Sequence, residues 1–105
     1  MEIRLSPNFE LALKLLETEE QKRLFQSFYT YCTGSFFNYP SIPRKGEFVD
    51  VEDIMWEWAE KNYNESARKM VNELWPHVRT ELQVLEVTHN RSYISVSCTD
   101  LYQIE

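Results

Sequence analysis

The side chains here that could attack a substrate, relay a proton or hold a metal are few: Cys32, Cys98, His77 and His89. A thiol made nucleophilic by an imidazole needs the ring within hydrogen-bond reach and a third group to orient it. His89 falls at the far end of a predicted hairpin from Cys98, and His77 follows the helix-limiting Pro76, so neither pairing is expected. Zinc needs closely spaced ligand pairs, and this chain has none. With Gly34 and Gly46 as the two glycines, no Gly-rich phosphate loop can be built. Carboxylates gather after Asp50, but acids spaced along an exposed helix face are ordinarily just solvated. The expectation is a non-enzymatic protein with no cofactor and no metal.

The charge points toward binding. Seventeen acidic residues against eleven basic give a net charge of −6 over 105 residues. Bulk acidity disfavours non-specific attraction to nucleic acid and to anionic membranes, while leaving room for a locally basic face. The length suits one domain, residues 1–105, and 43% hydrophobic content suits an ordered core. No apolar run is long enough to span a bilayer, and Met1–Leu5 lacks a signal-peptide profile. Two cysteines far apart without a CxxC motif read as free thiols in a reducing cytoplasm. The N-x-S triplets at Asn64 and Asn90 are then read as coincidental.

The clearest elements lie between Asn64 and Cys98. Leu82–Thr88 and Tyr93–Cys98 are rich in Val, Ile, Leu and Tyr and predict two strands of a hairpin. With Asn90-Arg91 as a two-residue turn, Thr88 faces Tyr93, Val87 faces Ile94, Glu86 faces Ser95, Leu85 faces Val96 and Gln83 faces Cys98. That register puts Val87, Ile94, Leu85 and Val96 on one face. A three- or four-residue loop is the alternative. Before the hairpin, Asn64 predicts an N-cap for a helix with Ala67, Met70, Val71, Leu74 and Trp75 at helical spacing. Pro76 ends it near Leu74, with a kinked continuation to about Glu81 as the alternative.

Upstream, Glu2–Ser6 alternates like an edge strand with Ile3 and Leu5 on one side. Ser6-Pro7 predicts the start of a helix running to about Glu17. Thr18-Glu19-Glu20-Gln21 is a capping-box pattern opening a second helix that Gly34 stops; one helix from Pro7 to Thr33 is the alternative. Ser35–Gly46 reads as a loop, unusually aromatic, and Glu47–Val49 as a very short strand. Asp50 is the expected N-cap of a helix with Val51, Ile54, Met55 and Trp58 inward. Leu101 and Ile104 are candidate anchors for the tail.

The fold class is therefore α+β: three to four helices followed by a C-terminal β-hairpin, with a short extra strand. This order resembles that of winged helix-turn-helix domains over roughly Glu19–Cys98. The resemblance implies that the helix from Asn64 enters the DNA major groove and that the hairpin tip is the wing. Arg68, Lys69, Asn72, Arg79, Asn90 and Arg91 would then contact bases and phosphates. Asn64–Cys98 carries four basic and four acidic residues, so DNA binding stands as the second reading.

The first reading takes the acidity and the aromatics together. Trp56 with Asp53, Glu57 and Glu60, and the loop aromatics Phe36, Phe37 and Tyr39, predict a protein-binding surface. Carboxylates there would complement a basic partner. Such a surface facing a nucleic-acid-handling protein could mimic phosphate and inhibit it. The generous aromatic content is compatible with a homodimer under either reading.

Overall fold

The computed structural model describes residues 2–102. Its sheet overturns the helices-then-hairpin layout. Five strands, spread through the chain, form one curled mixed sheet in the order β2-β1-β5-β4-β3. They are β1 (Glu2–Asn8), β2 (Phe36–Asn38), β3 (Phe48–Asp50), β4 (Glu81–His89) and β5 (Ile94–Thr99). The helices are α1 (Glu10–Leu15), α2 (Glu19–Gly34), α3 (Glu52–Tyr63) and α4 (Ala67–Leu74). The hairpin expected at the C-terminus exists as β4–β5. It is no wing, because β5 is the central strand and runs parallel to β1.

β1 shows why the first helix starts later than Ser6-Pro7 suggested. Its residues alternate exposed and buried from Glu2 to Asn8, with Ile3, Leu5 and Pro7 facing the core. Far from being an edge strand, β1 lies between β2 and β5. Pro7 is tolerated because β2 pairs only with Glu2–Arg4, so further along one side of β1 needs no N–H donor. α1 then begins at Glu10, with its Leu11 and Ala12 amides held by the distant Asp100 carboxylate. At α2 the capping box forms as written: Gln21 N–H donates to Thr18 Oγ1 while Gln21 Oε1 accepts from Thr18 N–H.

The hairpin register also differs. Val87 pairs with Val96, Thr88 with Ser95 and His89 with Ile94, leaving Asn90–Tyr93 as a four-residue connection. Asn90 N–H donates to Tyr93 O at 2.9 Å, and Asn90 Nδ2 to Ser95 Oγ at 2.9 Å. Pairing with β1, which sets Ile3 beside Ile94 and Leu5 beside Val96, constrains β5 from its other side. Leu82 and Val84 are buried and Val87 is half-buried, positions that a strict two-residue alternation cannot turn inward together. An irregularity between Val84 and Glu86 reconciles them and leaves Leu85 exposed.

Two further boundaries move. Asn64 is not an N-cap: it ends α3 with φ +46° and leads into a 3-10 turn, Asn64–Ser66, before α4. Trp75-Pro76-His77 forms another 3-10 turn after α4, and Trp75 is exposed rather than part of the core stripe. The loop expected over Ser35–Gly46 contains β2, and Leu101 is exposed while Ile104 lies outside the described residues.

The core lies between the sheet and the helices. Ile3, Leu5, Val84, Val96 and Cys98 from the strands share one buried cluster with Phe28, Met55, Trp58, Val71 and Leu74 from the helices. Phe28 meets Trp58 edge-on at 5.7 Å, and the indole N–H is satisfied by Ser27 Oγ at 3.0 Å. Satisfying that buried donor avoids a desolvation cost of about 1–3 kcal/mol.

Candidate functional site

α3 and β2 come from separate parts of the sequence, and the fold sets them side by side. β3 ends at Asp50, whose Oδ1 accepts the Glu52 N–H at 2.8 Å. Val51 N–H donates to Thr80 O at 2.9 Å, tying the start of α3 to the segment before β4. Helical periodicity then buries Val51, Ile54, Met55 and Trp58 and leaves Asp53, Glu57 and Glu60 in solvent. β2, paired with the start of β1, brings Phe36–Pro40 against the first half of α3.

Between them is a cleft of about 500 Å³ lined by Phe36, Phe37, Asn38, Tyr39 and Pro40 on one side and Asp50, Asp53, Ile54 and Glu57 on the other. The loop aromatics and the α3 acids singled out separately in the sequence thus meet. Trp56 and Glu60 do not join this lining: Trp56 is half-buried against the core and Glu60 is exposed nearby on the helix. Asp50 was missed as a lining residue. It was expected as the N-cap of the helix, but it is the last residue of β3, paired with Glu81, and Val51 takes the N-cap position. Its place in the lining therefore comes from the strand and not from a helical face.

The aromatic wall has internal support. Phe37 packs edge-on against Tyr31 at 6.3 Å, and the half-exposed Phe36 against Tyr93 at 5.4 Å. Tyr39 is half-buried. Burial chiefly, with Cys98, Cys32, Asp50 and Asp53 adding to it, pushes its phenol up to about 12. It therefore presents a neutral hydroxyl at ordinary pH.

At the rim, the Lys61 ammonium stands 3.4 Å from Glu57 and 5.4 Å from the Tyr31 ring centroid. Tyr31 first, then Glu57, raises the basicity of Lys61. An aromatic ring and a carboxylate thus already hold one cation beside the cleft. Asp53 makes no ion pair among the described residues.

The residues of the DNA reading are dispersed. Arg68, Lys69 and Asn72 are exposed on α4, and Asn90 and Arg91 are exposed at the β4–β5 connection. Arg79 is half-buried: it donates to Asp100 O at 3.1 Å and Tyr102 O at 3.4 Å, with its guanidinium 4.6 Å from the Tyr102 ring centroid.

His77 Nε2 lies 3.3 Å from Gln21 Nε2, and His89 is exposed at the end of β4. Cys32 and Cys98 are buried free thiols. Burial pushes Cys98 up to about 12 and Cys32 further, so neither is held as a thiolate. Among the described residues no group of three or more His, Cys, Asp or Glu side chains could hold a metal ion. No described helix is long and apolar enough to cross a membrane.

A second, larger cleft of about 950 Å³ lies between Ser41–Lys45 and the far half of β4. The chain matches no protein-family model, no curated protein and no solved structure.

Proposed function

We propose that this chain is a non-enzymatic regulatory protein that acts by binding another protein, with the cleft between β2 and α3 receiving a lysine- or arginine-bearing segment. One observation carries this reading: Phe36, Phe37 and Tyr39 share a single cleft with Asp50, Asp53 and Glu57. Aromatic faces and carboxylates together suit a cationic side chain, whose stem packs on the rings while its head pairs with an acid. Lys61, seated between Tyr31 and Glu57, is an intramolecular example of the same chemistry. The overall charge of −6 favours encounter with a basic partner. A cytoplasmic setting belongs to the proposal, since the buried free thiols Cys32 and Cys98 fit a reducing compartment. The DNA-binding reading has lost the layout from which it was derived.

The test is fluorescence anisotropy with a short dye-labelled peptide alternating arginine and glycine, followed by amide shift mapping. Saturable binding that moves the Phe37, Tyr39 and Asp53 amides, and weakens about tenfold or more in Asp53→Lys, is the expected result. Shifts elsewhere, or equal affinity in the variant, would overturn the proposal. A parallel titration with random-sequence duplex DNA decides against the competing reading if no binding occurs even at low salt. Steeply salt-dependent DNA binding abolished by Arg68→Glu with Lys69→Glu would replace the protein-binding reading.

A further inference from the structure

β4 is paired with β5 from Gln83 to His89, but on its other side β3 reaches only Glu81–Gln83. Gly46 N–H donates to Val84 O at 2.9 Å and Val84 N–H to Glu47 O at 2.8 Å, which closes that side as far as Val84. Beyond Val84 the outer edge of β4 has no backbone partner among the described residues. Antiparallel pairing alternates direction: with Asn90 bonded to Tyr93, Thr88 and Glu86 turn their backbone groups to β5. Val87 and His89 therefore direct N–H and C=O outward, into the larger cleft that both residues line. Two outward-facing residues at this spacing present the pattern with which an extended chain pairs.

The cleft also has a sidedness. Ile42, Pro43 and the exposed Leu85 give it an apolar wall. Arg44 and Lys45 stand at its rim and form no ion pair among the described residues, on a chain of net charge −6. Glu86 is the one acid in the lining, and alternation along the strand turns its side chain to the face opposite Val87. We propose that the outer edge of β4 from Leu85 to His89 is a strand-addition site for an extended, acidic segment of another protein. Main-chain bonds to Val87 and His89 supply the docking geometry, and Arg44 and Lys45 select for carboxylates. This site shares no lining residue with the acidic–aromatic cleft and has the opposite charge preference, so either can fail without the other.

The probe is a short dye-labelled peptide alternating aspartate and valine, read by anisotropy and by residue-resolved amide hydrogen exchange. Binding is expected to slow exchange at the Val87 and His89 amides by about tenfold or more. N-methylation of every second peptide amide should abolish it, since that removes the donors a new strand requires. Arg44→Glu with Lys45→Glu, on an exposed turn, should weaken it about tenfold with the circular dichroism spectrum unchanged. The proposal is overturned by no binding, by binding indifferent to N-methylation, by equal binding when lysine replaces aspartate, or by protection elsewhere. Concentration-dependent protection of the same two amides without peptide would assign the edge to a second copy of the chain and overturn it equally.

Discussion

Asp100 Oδ2 accepts the Ala12 amide at 2.9 Å, across 88 positions of sequence, and both residues are fully buried. The other carboxylate oxygen accepts the Leu11 amide at 3.0 Å, so one side chain satisfies two of the unpaired donors that open a helix. Phe9, at the N-cap position, supplies no side-chain bond. Asp100→Ala should therefore cost about 2–4 kcal/mol by leaving two donors without acceptors in or near the core. Asp100→Asn, which keeps one acceptor, should lose less. Urea midpoints of the three proteins would measure this; a wild-type midpoint in the alanine variant would show that α1 does not depend on the cap.

Leu85 separates the observed register from the expected one. As the displaced residue of the β4 irregularity it is 43% exposed, whereas Val84 is 1% exposed. Leu85→Lys should change stability by no more than about 0.5 kcal/mol. Val84→Ala should cost about 2 kcal/mol. In the regular hairpin, with Leu85 facing the core, the lysine substitution would unfold the protein.

Asn64 is the one non-glycine residue with positive φ among the described residues, and its ψ of −108° takes it outside the left-handed helical region asparagine tolerates. Asn64→Gly should raise stability by about 0.5–1 kcal/mol through relief of that strain, and Asn64→Val should lower it by more than about 1 kcal/mol. Thermal unfolding midpoints rising for glycine and falling for valine would bear this out.

Alkaline pH should destabilise the fold. Burial raises the Cys32 and Cys98 thiols, Cys98 from 9.0 to about 12, and raises Tyr39 from 10.0 to about 12. Above about pH 9 the unfolded chain loses thiol protons that the folded chain retains, so stability is fully present below that pH and falls as pH rises toward 12. Cys98→Ala should lower stability at neutral pH yet flatten the alkaline fall. Denaturant midpoints at neutral pH and near pH 10 would measure the slope, and a slope identical in the variant would contradict the assignment.

Local patterns in the sequence determined much of the helical part of this protein. The Thr18–Gln21 capping box, the stop after Gly34 and the inward stripe Val51, Ile54, Met55 and Trp58 are interactions within one or two turns. The cleft acids Asp53 and Glu57 were legible for the same reason, since helical spacing separates exposed acids from buried apolar groups. Phe36, Phe37 and Tyr39, by contrast, stood out only as an aromatic-rich stretch read as a loop. Only the tertiary structure decided which of them meet. β2 had to pair with β1, over thirty residues away, before Phe36, Phe37 and Tyr39 could face Asp53 and Glu57.

The same holds where the expectations failed. Pro7 lies in a strand because β2 stops short of it, and α1 starts at Glu10 with a cap from Asp100. β5 takes its register with β1 bonded beside it. Helix signals act between neighbours along the chain. Sheet order, register and a remote cap are set by partners whose identity no local window contains.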